Sequence, residues 1–305
     1  MGMQIMSKST RGILYASIGA ICWGISGPIA QILFANYHMK LTWLIGSKML
    51  FGGILLLVFG MLQKKQRPKL FAIWHGKKAI IQLLIFTIFG MTAMQAVYYK
   101  AVAVGNAATA TILQFLSPVF IVVFTIIRYK RVPRRGDVWA IVAALVGTYL
   151  LITGGNPTSL TISPAALFWG VVTGVAAAAY VLLPEKILNQ YGSLTVSSWS
   201  MLVGGVLFMF IQPAWRDVPH FDAKGWAGYL FIVIFGSVIA YFIYLASLAY
   251  ISATATGLLD AFEPLSATIV SVVFLNLKFG VMETIGTILI LSTVFILAIA
   301  NRHSS

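Results

Sequence analysis

The chain is predicted to be an all-α membrane protein with ten transmembrane helices, arranged as two inverted five-helix repeats. Three observations lead there: an apolar excess that a water-facing surface cannot hold, ten hydrophobic runs of bilayer length, and a pattern of Gly, Pro and Tyr that returns at one offset.

The apolar excess comes first. Hydrophobic residues make up 60% of the 305 positions and charged residues only 9%, against about 25% charged in a typical soluble domain. Folding leaves much of any protein's surface outside, so the surplus apolar area must meet lipid. Twenty-one Lys and Arg stand against seven Asp and Glu, a balance that can mark a nucleic-acid binder. Here the basic residues fall between apolar runs, as in Lys64-Lys65-Gln66-Arg67 and Arg128-Tyr129-Lys130-Arg131. That is the placement of cytoplasmic loops, so no nucleic-acid partner is expected. Cys22 is the single cysteine, which excludes an internal disulfide and reads as a small buried apolar residue.

Runs of about 18 to 25 apolar residues lie near 12–35, 41–62, 79–99, 104–128, 136–153, 164–184, 194–213, 225–247, 252–275 and 281–300. The first follows Lys8 and Arg11 as a signal peptide would, but it is too long for a signal h-region of about 7 to 15 residues, so it is read as a span. With the N-terminus in the cytoplasm, the inner loops collect Lys8, Arg11, the basic residues from Lys64 to Lys78, those from Arg128 to Arg135, Lys186 and Arg302. The outer side keeps Lys40, Lys100, Arg216, Lys224 and Lys278. A multi-pass protein of the cell membrane with both termini inside is therefore expected.

A shift of about 146 residues lays Ile88-Phe89-Gly90 on Ile234-Phe235-Gly236, Tyr98 on Tyr244, Leu113 on Leu259, Pro118 on Pro264 and Asp137 on Glu283. Gly52-Gly53 falls on Gly204-Gly205 at a slightly larger shift. The reading is one five-helix unit over 1–154 and a second over 155–305. Five is odd, so the second copy enters the bilayer upside down, the architecture of many secondary transporters.

Polar groups deep in the spans are few, and a charge there costs at least about 2.5 kcal/mol. They are Lys48, Gln95, Gln114, Asp260 and Glu263. Asp260 and Glu263 are three apart and share a helix face; the offset matches them to Gln114 and Ser117, each pair beside a proline, Pro118 or Pro264. Each proline removes a donor and frees a carbonyl one turn earlier, which suits either a kink that swings between states or simple packing. Axial depth, at 1.5 Å per residue, puts Lys48 nearer Glu263 than Asp260, so a Lys48–Glu263 pair is expected in at least one state. Among the aromatics, Trp23, Tyr98, Tyr99, Trp169, Tyr180, Tyr241 and Tyr244 are candidates to line a cavity, Tyr98 and Tyr244 above the rest because the repeat equates them. Gly170 and Gly174 give the sixth helix a small face for close packing.

No phosphate-binding loop, His-Glu-x-x-His or Cys/His cluster occurs, so neither a cofactor nor a metal nor enzymatic catalysis is expected. The candidate substrate-binding residues are Trp23, Lys48, Gln95, Tyr98, Gln114, Ser117, Tyr244, Asp260 and Glu263, with Pro118 and Pro264 as helix-kink residues.

These features together resemble the EamA-type members of the drug/metabolite transporter superfamily. The resemblance spans the chain and rests on Gly19-Ala20-Ile21-Cys22-Trp23-Gly24, a basic residue in the second span (Lys48, where the family usually has Arg), Ala107 to Pro118 with Leu116-Ser117-Pro118, and Phe262-Glu263-Pro264. The chain departs from the family where Gly-Glu is usual after the fourth and ninth spans; Arg131 and Leu277 stand there. The resemblance implies efflux of amino acids or related metabolites through a central cavity by alternating access. It carries over Lys48, Ser117, Pro118, Glu263 and Pro264. A cavity holding Lys48, Asp260 and Glu263 suits a small zwitterionic substrate, and a proton is the natural coupling ion because a carboxyl is easier to bury neutral than charged. Efflux of cationic drugs, in which the acids matter and Lys48 does not, remains the alternative; a membrane scaffold that transports nothing is the alternative of another class.

Overall fold

A computed structural model describes residues 8–64, 66–130, 132–156, 160–247, 250–251, 256 and 259–302. Among these, nine helical segments are long and apolar enough to cross a bilayer, and Phe262–Leu275 is a shorter apolar helix. Arg131 and the beginning of the expected ninth span, 252–255, lie outside the described residues.

Polarity is distributed inside out. Trp139, Phe210 and Phe274 are largely exposed, while Ser47, Thr87, Thr173, Ser200 and Ser237 are fully buried. Apolar faces turned outward belong in lipid, and small hydroxyls turned inward can satisfy themselves on helix carbonyls, as Ser47 does on Trp43 and Thr173 on Trp169.

Glycines set how the helices meet. Helix α1 (Lys8–Tyr37) is followed by α2 (Leu41–Leu62) and the short α3 (Arg67–Ala72). The third span runs from α4 (Lys77–Ile85) through a π-helical stretch, Phe86–Thr92, into α5 (Ala93–Val104). The fourth comprises α6 (Ala107–Gln114) and α7 (Ser117–Tyr129), and the fifth is α8 (Arg135–Thr153). Next come α9 (Pro164–Leu182), the short α10 (Glu185–Tyr191) and α11 (Ser193–Ile211). The eighth span runs from α12 (Ala223–Val233) through a second π-helical stretch, Ile234–Ile239, into α13 (Ala240–Ser247); α14 (Phe262–Leu275) and α15 (Val281–Arg302) complete the set.

Helix α2 packs along α11, α8 along α15, α1 against α13 and α14, and α9 against α5 and α6. The α2–α11 contact is reciprocal: a Cβ on Gly53 would strike the Leu202 backbone nitrogen, and one on Gly205 would strike that of Leu50. Gly147 and Gly286 likewise face each other's carbonyls where α8 meets α15. Gly19 lies against Tyr244 and Ala240, and Gly24 against Ser266 and the Glu263 carbonyl. Gly170 and Gly174 give α9 its close approach to Leu113, as their spacing suggested.

Two spans expected as continuous helices are interrupted. In the fourth, Phe115 and Leu116 tighten to i−3 bonds on Ile112 and Leu113 before α7 begins at Ser117. Pro118 has no N–H for the Gln114 carbonyl and disfavours helix at the residue before it, so the break follows from the proline. The ninth has the same irregularity: Asp260 and Ala261 form a turn, and the Glu263 amide bonds the Asp260 carbonyl at i−3, one residue before Pro264.

One end of the bundle is closed by a cluster joining residues 37–43 to residues 212–229. Phe221 packs edge-on to Tyr37, Trp43 and Trp226. The Trp43 indole N–H donates to the Ala214 carbonyl, and Tyr37 donates to Asp222. Lys40 pairs with Asp217 at 2.8 Å, with both side chains more than half exposed. Hydrogen bonds from Lys40 and then Gln212 hold the Asp217 carboxyl below its ordinary range; Asp222 is held down mainly by Tyr37. A carboxyl depressed in the folded state lends its stability above the ordinary value, near 3.9, and loses it as pH falls through the folded value. Acidification below about pH 4 should therefore lower the melting temperature by a small, salt-sensitive increment, smaller still in Asp217→Asn; an identical acid limb in wild type and variant would refute it.

Candidate functional site

A cavity of about 480 Å³ opens among the spans, bordered by the interruptions just described. Trp23 and Ser26 reach it from α1, and Lys48 from the first half of α2. Met91, Met94, Gln95, Tyr98 and Tyr99 come from the third span; Gln114, Phe115, Ser117 and Pro118 flank the break in the fourth. Tyr180 belongs to α9 and Tyr241 to α13, while Asp260 and Glu263 flank the break before α14. A helix interrupted at such a place turns side chains from both sides of the break into the same space. Non-helical backbone at membrane depth is tolerated where it borders a cavity.

Most of the residues expected from sequence meet here. Trp23, Lys48, Gln95, Tyr98, Gln114, Ser117, Asp260 and Glu263 line the space, together with Pro118. Three candidates do not line it: Trp169 of the aromatic set, Tyr244 and Pro264. Tyr244 packs on Trp23 with ring centroids 4.9 Å apart, and its hydroxyl lies near the Asp260 carboxyl. Pro264 is buried beneath the lining.

The expected Lys48–Glu263 ion pair is not formed in this state. The Lys48 ammonium donates to Gln95 Oε1 at 3.1 Å and to the Tyr99 hydroxyl at 2.9 Å, and the side chain is 5% exposed. Gln95 and Tyr99 are one turn apart on α5 and present two oxygens on one face, a better cradle than a carboxylate on a helix across the cavity. Axial arithmetic fixed the depth of Lys48 but not the direction in which it reaches.

Glu263 instead accepts from Gln114 Nε2 at 3.3 Å. Gln114 Oε1 and Asp260 Oδ1 are buried with no partner among the described residues. The Trp23 ring packs edge-on to Tyr241 at 5.0 Å, and the Tyr180 hydroxyl lies 3.5 Å from that of Tyr241. Tyr98 is turned from the ammonium and shares a 3.0 Å bond with Thr111. The resulting space has an aromatic wall, a carboxyl pair on one side and the cradled Lys48 ammonium on another.

Sequence reasoning named Tyr99, Tyr180 and Tyr241 only as members of a longer aromatic set, and passed over Ser26, Met91 and Met94. The i, i+4 spacing of Gln95 and Tyr99 was the available signal for the first. Methionines in an apolar helix carry no such signal, because the sequence does not show which of its faces is lined by lipid.

Comparison with known proteins agrees with this architecture. The EamA-like transporter family matches residues 10–153 and again residues 164–299. An uncharacterized inner membrane transporter, YicL, of Salmonella typhimurium is 35% identical over 300 residues, covering 98% of each chain. The uncharacterized transporter YwfM of Bacillus subtilis is 22% identical over 299 residues, 95% of this chain and 94% of its own. A solved crystal structure superposes with a TM-score of 0.66 at 16% identity, covering 97% of this chain and 99% of that one, which supports the fold. Family matches over both halves and a full-length relative at this identity place the chain: it belongs to the EamA-like transporter family, as a multi-pass membrane transporter.

Proposed function

We propose that the chain is a secondary transporter that exports small metabolites such as amino acids across the plasma membrane, by alternating access of one central cavity and with a proton as the coupling ion. The observation that carries this reading is the cavity itself: about 480 Å³, walled by aromatic rings and holding Lys48, Asp260 and Glu263 beside two interrupted helices. Buried ionisable groups in a membrane bundle are costly and are kept where they handle ions or substrate.

Alternating access requires two arrangements of similar energy, and inverted halves supply them. Several features support that relation between 1–154 and 155–305. The interruptions at Phe115–Leu116 and Asp260–Ala261 and the two π-helical stretches fall at nearly the same offset as the sequence matches. The packing partners exchange in the same way: α1 meets the third span of the other half, and α9 does too.

With both termini in the cytoplasm, the cluster of Tyr37, Lys40, Trp43, Asp217 and Phe221 is the outer closure. Ile121, Val181 and Leu297, which also line the cavity, then carry it toward the cytoplasmic ends of their helices. The state is inward-facing, ready to load a cytoplasmic metabolite. Plasma-membrane placement accords with the inner-membrane name of the YicL relative.

Purified protein in proteoliposomes loaded with labelled amino acids should release them severalfold faster than empty-vesicle leak, and faster still down an imposed pH gradient. Equal rates with and without the gradient would remove the proton; rates no greater than leak would remove transport.

A further inference from the structure

We infer that the cargo is recognised through a protonated amine on an apolar or aromatic body, the ammonium docking on Asp260 with Gln114 as second acceptor, and that a carboxylate on the cargo is dispensable. The inference deepens the transport reading, on which it rests for the movement of the ligand but not for its binding.

The argument begins with which groups are already satisfied. Two of the donors on Lys48 are spent on Gln95 and Tyr99, so the one cation that lines the cavity among the described residues offers a carboxylate little. The opposite side is short of donors. Gln114 is held by its amide nitrogen on Glu263, which leaves Oε1 facing away as a pure acceptor, and that atom is buried without a partner. Asp260 is in the same condition: its Oδ1 is buried and has no partner among the described residues. Two unpartnered buried acceptors ask for N–H donors, because leaving such groups unmade is more expensive than making the bond is favourable.

The balance of donors and acceptors points the same way. Among the described residues two carboxyls line the cavity against one ammonium. A cargo amine therefore meets more acceptors than a cargo carboxylate meets donors. A carboxylate brought to that side of the cavity finds acceptors where it needs donors, which works against it. The body of the ligand follows from the wall: Trp23 packs at 5.0 Å on Tyr241 and 4.9 Å on Tyr244, next to Asp260. Aromatic faces beside a carboxylate suit an ammonium and the carbon skeleton behind it.

The test uses three compounds that share one ring and chain: phenethylamine (ammonium only), phenylalanine (both charges) and 3-phenylpropionate (carboxylate only). Binding to the purified full-length protein in nanodiscs is followed by calorimetry and by tryptophan fluorescence. Phenethylamine is expected to bind at least as tightly as phenylalanine, 3-phenylpropionate not measurably, and Asp260→Asn to weaken phenethylamine at least tenfold while retaining the wild-type elution profile. Tighter binding of phenylalanine or of 3-phenylpropionate than of phenethylamine, binding of none of the three, or unchanged amine affinity in a folded Asp260→Asn protein would each overturn the inference. Flux of phenylalanine in proteoliposomes without amine binding would defeat this inference alone. Amine binding without flux of any compound would defeat the transport reading alone.

Discussion

Leucine in place of Gly53 is expected to destabilise the protein by more than about 3 kcal/mol, the upper range for overpacking, and to leave little folded, monodisperse material. The reason lies in what the new side chain would meet. A Cβ at Gly53 runs into the backbone nitrogen and Cα of Leu202, and the partner contact at Gly205 runs into those of Leu50. Backbone atoms of a facing helix cannot turn aside as a rotamer can, so α2 and α11 must separate along their whole shared length. Separation would also disturb Gly52 and Gly204, each of which lies against a methionine of the opposite helix, Met201 and Met49. Membrane helices gain little hydrophobic driving force from association and depend on such close packing. Gly76→Ala is the control: its nearest neighbour would be the Ala79 Cβ at 3.6 Å, an ordinary contact, and the cost should stay within about 1 kcal/mol. Thermal melting followed by size exclusion separates the two, and a Gly53→Leu protein that melts with the wild type would show that α2 and α11 do not depend on this crossing.

These glycines also show which parts of the fold could be read before any coordinates. The spans were legible because lipid imposes one length and one chemistry on every crossing segment. The contact partners of Gly53 were not, although the repeat matched it to Gly205: a sequence match says that two positions are equivalent, and only three-dimensional packing says that Gly53 meets Leu202 and Gly205 meets Leu50. The same distinction runs through the cavity. Lys48, Gln95, Gln114, Asp260 and Glu263 stood out because polar atoms at depth are expensive, and all of them line the space. Their pairing was less accessible. Lys48 was matched with Glu263 by depth, a single coordinate, while the choice among partners at that depth depends on rotation about each helix axis. Asp260 and Glu263 were placed on one helical face, yet the turn at Asp260 puts them on either side of the helix start. The prolines hinted at that turn; whether a proline kinks a helix or ends it depends on neighbours that take up the freed carbonyls.

Lys48→Met carries the second large effect, and the cradle explains its size. Methionine keeps the length and most of the volume of the side chain but removes the donors that satisfy Gln95 Oε1 and the Tyr99 hydroxyl, both deep in the bundle. Orphaned buried acceptors cost about 1–3 kcal/mol each, so a loss of about 3 kcal/mol is expected, partly offset because the ammonium no longer has to be buried. A second contribution acts through space, because Lys48 is a cation lining a cavity that also holds Asp260 and Glu263. The double variant Lys48→Met with Glu263→Gln removes one charge of each sign and should recover part of the loss, by about 0.5–1 kcal/mol, since Gln95 and Tyr99 stay unsatisfied in both. Amino acid release from proteoliposomes should fall to the leak rate in Lys48→Met, with only partial recovery in the double variant. Full recovery of stability would assign the whole effect to charge and none to the cradle. A Lys48→Met protein that melts and transports as the wild type does would remove Lys48 from both the packing and the site.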